Sequence, residues 1–248
     1  RMCLGAIFSD KNLKNGANIL NGVGQPLFTA EAPGSIFLNE KIAKGHKRDI
    51  DFAKELLKKS GFYNDKDGVL HDKNGNIVSF DLLTNAGNTE REAIGVMIKS
   101  DLAELGIKIN FKPIEFNSLI GKISDTYDWD TMVMGLTGNT LEPHGGKNVW
   151  YSNGPLHIFN QRDEKHFNQG LLDFEKELDT LIEQGASELE HEKRKIYYDK
   201  YQEIVAEENP MIYLYSPLRL MAVRNRVGNI YPTNLGGVVH NLPELYIK

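Results

Sequence analysis

Apolar residues recur at helical spacing from Phe52 onward, with Phe52, Ala53, Leu56 and Leu57 on one face and Lys54, Glu55, Lys58 and Lys59 around the other. The pattern predicts an amphipathic helix that stops at Gly61, where a left-handed residue costs a glycine nothing. Turn clusters at Asn64 to Gly68 and Asp72 to Asn76 flank Val69 and Leu70 and precede the run Ile77 to Leu83, so a small hairpin is expected to lead into a core strand. Beyond the loop Thr84 to Asn88, Thr89 and Glu92 have capping-box spacing, and Ile94, Met97, Ile98, Leu102 and Leu105 form the stripe of a second helix ended by Gly106. Ile107, Ile109 and Phe111 then alternate with Lys108, Asn110 and Lys112 as a strand. A helix from about Asn117 to Ser124 precedes a further strand, Thr131 to Leu136.

Strand, helix, strand, helix, strand implies parallel neighbours joined by right-handed crossovers, hence an α/β domain. Ligands of such sheets bind beyond the carboxyl ends of the strands, and the two connections there, Thr84 to Asn88 and Leu136 to Asn148, are rich in Asn and Gly. The whole stretch from Trp129 to Asn160 is an apolar strand running into a long aperiodic connection, and such connections are more often functional or disordered than plain links. Trp150, Tyr151, Leu156, Ile158 and Phe159 argue against disorder. Later, helices are expected at Leu171 to Gln184 and Glu188 to Glu208, the second with Ile196, Tyr197, Tyr201, Ile204 and Val205 inward. Short strands at Met211 to Tyr215 and Leu218 to Val223 lead to an irregular tail.

Composition narrows the picture only modestly. The 248 residues are 40% hydrophobic and 25% charged, an ordinary globular chain of one large or two small domains. A net charge of −5 without any basic stripe gives no footprint for nucleic acid or an anionic membrane surface. No window approaches the roughly 18 apolar residues of a membrane span. Lone Cys3 allows no internal disulfide and leaves the compartment open. Arg1 stands before Met2, and the first 20 residues read as a helix already under way, so an upstream portion, with any export signal, is expected to be absent from this fragment.

Catalytic signatures are missing: there is no G-x-S-x-G, no phosphate loop and no H-E-x-x-H. Calcium loops fail because Tyr63 or Leu70 falls where the first carboxylate belongs, and Asn74 where a bidentate Glu would be needed. Glu188 with His191 reads as a solvated helix face. His144 and His157 read as loop packing or ligand hydrogen bonding, Trp129 as core, and Trp150 as either core or cleft lining. No cofactor or metal is expected. An α/β enzyme using His144, Glu142 and His157, and an interaction domain binding another protein through the same loop, remain the readings from other classes.

Four segments, DIDFAKELLKKSGFYNDKDGVLHDKNGNIVSFDLLTNAGNTER, LAELGIKINFKPIEFNSL, YDWDTMVMGLTGNTLEPHGGKNVWYSNGPLHIFN and ENPMIYLYSPLRLMAV, resemble the family 5 extracellular solute-binding proteins of ABC transporters for oligopeptides, dipeptides and nickel. A Lys-Ser-Gly-Phe helix end, an asparagine loop and a Thr-Gly-x-x-x-x-Pro loop carry the resemblance together. It implies a type II periplasmic-binding-protein-like lobe with a central, mainly parallel sheet flanked by helices. Residues 1–217 would be the second lobe of a two-lobed clamp and residues 218–248 a return segment towards the first lobe, with about half of the usual family length absent from the front. The implied function is non-catalytic capture of a peptide, or alternatively an oligosaccharide, by a monomeric extracytoplasmic receptor, periplasmic or membrane-anchored as a lipoprotein, that delivers to the permease subunits of an importer. Ligand contacts are expected from Leu136, Thr137, Gly138, Asn139, Glu142, Trp150 and Asn85. Asn139 stands where peptide-binding members offer an aspartate to the ligand's ammonium group, which puts a preference for a free amino terminus in question.

Overall fold

The computed structural model describes residues 24–45, 47–136, 142–160, 170–218, 220–233 and 237–248. The helix expected in the first 20 residues lies outside them. Strand β1 (Gly24–Pro26) and helices α1 (Glu40–Ala43) and α2 (Ile50–Lys59) open the described chain. Asp49 caps α2 by accepting from the Phe52 amide at 2.8 Å, while Ala53 and Leu57 point into the core. Phe52, expected inward, is 46% exposed, because it stands one position to the side of the Ala53 and Leu57 stripe.

The predicted hairpin is present as β2 (Tyr63–Asn64) against β3 (Leu70–His71), antiparallel. It feeds β4 (Ser79–Asn85), the middle strand of a three-stranded parallel sheet. On one side β5 (Lys108–Ile114) pairs along its whole length, from Ser79 opposite Lys108 to Asn85 opposite Ile114. On the other, β6 (Thr131–Met132) pairs with Leu82 and Leu83. The strand expected through Leu136 keeps only these two residues in the ladder, extended by the Val133 amide donating to Leu83 O at 2.8 Å.

Alternation along β4 divides the apolar residues between two faces. Leu82 joins Ala53, Leu57, Leu70, Ile94, Leu102, Leu105, Ile107, Ile109 and Val133, which places α2 and the crossover helix α3 (Thr89–Ala103) on one face. Leu83 joins Leu119 of α4 (Phe116–Gly121), Ile123 and Trp129 on the other. The start of α3 differs by one residue from the expected capping box. Asn88 is the cap, accepting from the Arg91 amide at 2.9 Å, and Glu92 reaches back to the Gly87 amide at 2.8 Å.

A second core forms where α5 (Lys147–Trp150) meets the antiparallel pair α6 (Asp173–Ser187) and α7 (His191–Glu208). The inward face of α7 carries Tyr201, Ile204 and Val205 as expected, with Tyr197 packed beside them, but not Ile196. Ile196 is 67% exposed, whereas Tyr198, Tyr201, Gln202, Ile204 and Val205 are buried. Gln202 is buried because its amide is fully satisfied. Nε2 donates to Phe37 O (2.8 Å) and Tyr198 O (2.9 Å), and Oε1 accepts from the Asn39 amide (2.9 Å) and Thr29 Oγ1 (3.0 Å). These bonds bind segment 29–39 to α7.

Strand β7 (Tyr215–Pro217) runs antiparallel to β1, slightly later than the expected Met211 to Tyr215. Among the described residues, Leu218 and Leu220 to Val223 form no strand. Leu218, Leu220, Met221 and Val223 instead expose their side chains, since the apolar run has no neighbouring edge to pair with among the described residues. The tail closes with β8 (Val227–Gly228) against β9 (Tyr246–Ile247).

Gly106 and Gly87 both adopt left-handed backbones, but only Gly106 is closely enclosed, since a Cβ there would lie 2.2 Å from Gly68 O and 2.8 Å from the Leu70 amide. That amide donates to Gly106 O at 2.9 Å, so the contact closes the hairpin onto the crossover. Gly106→Ala is expected to lose more than about 2 kcal/mol in denaturant unfolding, against about 1 kcal/mol for Gly87→Ala, which has open space around it.

Candidate functional site

The carboxyl ends of β4, β5 and β6 point the same way because all three strands are parallel, and the connections that leave them define the candidate site. Asn85 is the last residue of β4. Its Oδ1 accepts from Arg91 Nη1 at 2.6 Å, which fixes the amide orientation. Beyond β6, Thr84 Oγ1 donates to Val133 O at 3.0 Å, and Gly135 lies against the Arg91 guanidinium. Leu136, 49% exposed, is the last described residue before residues 137–141. Thr137, Gly138 and Asn139 lie outside the described residues.

The chain is described again at Glu142, which caps the 3-10 turn Pro143–Gly146. Its carboxylate accepts from Arg194 Nη2 at 2.6 and 2.7 Å and from Tyr198 Oη at 3.0 Å, while Arg194 Nε donates to Gly185 O at 3.0 Å. Burial and the Glu142 charge push the Tyr198 hydroxyl up to about 12. Glu142 is therefore engaged with α7 and serves the loop. Trp150, a candidate for lining the cleft, is 4% exposed, with Phe159, Tyr201 and Tyr213 at ring distances of 5.7, 5.8 and 6.5 Å. This corrects the cleft-lining expectation: α5 turns the indole into the helical core.

The two loop histidines have different surroundings. His157 is buried between Val149 O (2.9 Å from Nδ1) and Glu175 Oε1 (2.9 Å from Nε2), and Asn160 Nδ2 and the Leu172 amide also donate to Glu175. Glu175 is 0% exposed, so the cluster is a closed internal network. His144 is half-buried, and its Nδ1 has no hydrogen-bond partner among the described residues. No group of three His, Cys, Asp or Glu side chains among the described residues could hold a metal ion.

Near Glu142 lies a carboxyl group that sequence reasoning missed. Glu31 is 5% exposed and accepts from Ser35 Oγ at 3.3 Å. Desolvation raises its pKa to about 7, the Ser35 bond opposes that rise, and the nearby Glu142 charge adds to it. Tyr201 and Tyr213 are also pushed up, chiefly by burial. No spacing rule connects Glu31 with Glu142. Arg91 did carry a signal, because a cation in the first turn of a helix opposes the helix dipole and needs another reason to be there.

This arrangement of parallel strands flanked by helices is the type II periplasmic-binding-protein fold. Residues 15–156 match the family described as bacterial extracellular solute-binding proteins, family 5 Middle, and the chain belongs to that family. A probable ABC transporter-binding protein of Deinococcus radiodurans is 30% identical over 227 residues, which are 86% of this chain and 37% of that protein. Oligopeptide-binding protein AppA of Bacillus subtilis is 26% identical over 253 aligned positions, 93% of this chain and 39% of AppA. The AppA structure in complex with a nonapeptide superposes with a TM-score of 0.72 at 20% identity, over 99% of this chain and 47% of that one. The MelB binding protein of Agrobacterium fabrum C58, in complex with stachyose, gives 0.69 at 20% identity over 85% and 32%. The chain thus spans less than half the length of the curated relatives it matches. No helix among the described residues is long and apolar enough to cross a membrane.

Two outcomes follow from the buried groups. Trp150→Ala should cost about 3–5 kcal/mol of stability by denaturant unfolding, as expected for a large core aromatic. Folded Glu31 keeps a proton that the unfolded chain releases between about pH 4.5 and 7, so the parent loses stability as pH rises through that window, by roughly 3 kcal/mol in all. Glu31→Gln should abolish the fall and be the more stable protein above about pH 7, and parallel profiles for the two proteins from pH 4 to 8 would show that Glu31 does not titrate this way.

Proposed function

We propose that the chain is the second lobe of the substrate-binding component of an ABC importer, holding an extended solute against the carboxyl edge of its parallel sheet without chemical change. The observation that carries this reading is that Asn85 and Gly135 both meet Arg91 at that edge, with exposed Leu136 next, immediately before the Thr-Gly-Asn segment of the sequence. Leu136, Thr137, Gly138, Asn139 and Asn85 form the contact wall, while Glu142 and Trp150 support it from behind through α7 and the helical core. His157 and Glu142 do not suit a catalytic role, since His157 is enclosed with Glu175 and Glu142 is paired with Arg194.

A peptide is the first choice of cargo, in keeping with AppA. An oligosaccharide is the second, favoured by the neutral Asn-rich wall and the stachyose-bound neighbour. Residues 218–248, with Leu220, Tyr231, Leu242 and Ile247 exposed, are the return segment that a first lobe would cover. The complete receptor acts as an extracytoplasmic monomer, periplasmic or lipid-anchored, that delivers to permease subunits.

Calorimetry on the full two-lobed protein tests the wall. Asn139→Ala should weaken cargo binding by about tenfold, the worth of one good hydrogen bond to the ligand. Asn139→Asp should introduce a preference for a free over an acetylated peptide amino terminus. Unchanged affinity in both variants would remove the segment from the site.

A further inference from the structure

Arg91 is a cation at the carboxyl edge, and among the described residues nothing charged answers it there. A guanidinium has five N–H donors, of which Nη1 donates to Asn85 Oδ1 at 2.6 Å, and no carboxylate pairs with Arg91 among the described residues. The acids nearby are engaged elsewhere: Glu92 with the Gly87 amide, Glu115 with the Ser118 amide at 2.8 Å, and Glu142 with Arg194. Glu90, the preceding residue, points to solvent. The segment Thr137 to Leu141 contains no charged residue.

The position is nevertheless built around the guanidinium. Asn85 holds one end, and Gly135 leaves room for the other, since a Cβ at 135 would lie 2.7 Å from Arg91 Nη2. The first turn of α3 gives the charge no support, because the helix dipole disfavours a cation there. Closing a cleft over this edge would take a half-buried, unpaired arginine further out of water, which is costly unless the entering molecule brings an anion.

We infer that Arg91, oriented by Asn85 and accommodated by Gly135, receives a carboxylate of the cargo, so that the site selects anionic solutes. The inference rests on the reading of this edge as the cargo wall, and it adds the ligand's charge. The described residues of the edge offer no free acid to an ammonium group, which fits the same preference.

The test uses the full two-lobed protein in calorimetric titrations with matched probes. One series comprises pentapeptides identical except for Glu or Gln at each position in turn; the other pairs a neutral trisaccharide with its uronic acid counterpart. The expected result is that one carboxylated member binds at least about tenfold tighter than its neutral twin. That ratio should fall towards one in Arg91→Gln and persist in part in Arg91→Lys, and the series showing it tells whether the carboxylate belongs to a peptide or a sugar acid. Because the ratio is taken within one protein, a general loss of stability in the variant does not imitate it, and should Arg91→Gln fail to fold, the parent ratio and the Arg91→Lys ratio decide. Binding of neutral and carboxylated twins with equal affinity in the parent, or a ratio unchanged in Arg91→Gln, overturns the inference while leaving the cargo wall standing. Failure of every probe in both series to bind overturns the cargo-wall reading and the inference together.

Discussion

Everything at the candidate site depends on β4 being paired on both sides in the same direction. A strand flanked by two parallel neighbours must be buried on both faces, because the crossovers that return the chain put helices there. Leu82 and Leu83, adjacent in sequence and almost fully buried on opposite faces, show that requirement met. The same pairing sends three strand ends out at one edge. Asn85, the Val133 to Leu136 stretch and the start of α3 meet there as a geometric consequence of the ladder.

Much of this was legible in the sequence wherever a single periodicity governed a segment. The α2 helix, the hairpin, β4, α3 and β5 follow directly from apolar spacing and from Gly61 and Gly106 at the helix ends. The reading failed where hydrogen bonds rather than hydropathy determined burial. On α7 an exposed isoleucine and a buried glutamine invert the usual order, because Gln202 finds four partners at Thr29, Phe37, Asn39 and Tyr198 that no local pattern announces. Trp150 illustrates the converse: its place beyond a Gly-Gly turn left core and cleft equally open, and a short helix there directs the ring inward.

The site divides along the same line. The asparagine loop and the Leu136 exit could be placed from strand order alone. The pairs that shape them, Arg91 with Gly135 and Glu142 with Arg194, join residues 44 and 52 positions apart, and such partners become visible only when the fold brings them together. Glu31 is harder still, since its proximity to Glu142 depends on segment 29–39 being held to α7 through Gln202.

The two arginines give the connection between residues 136 and 142 different anchors at its two ends. Its entry is rooted in the sheet, through the Val133 ladder bond to Leu83, the Thr84 hydroxyl on Val133 O and the fit of Gly135 against Arg91. Its exit is rooted in the helical pair, through Glu142 on Arg194 and Tyr198. A change at either root is therefore felt at the strand edge without any contact to a ligand. The exit is the more exposed to electrostatic influence: Glu142 is only part-buried in its ion pair and lies near Glu31, a carboxyl group whose charge depends on pH. The geometry of the entry is set by a backbone ladder and by the absence of a side chain at Gly135.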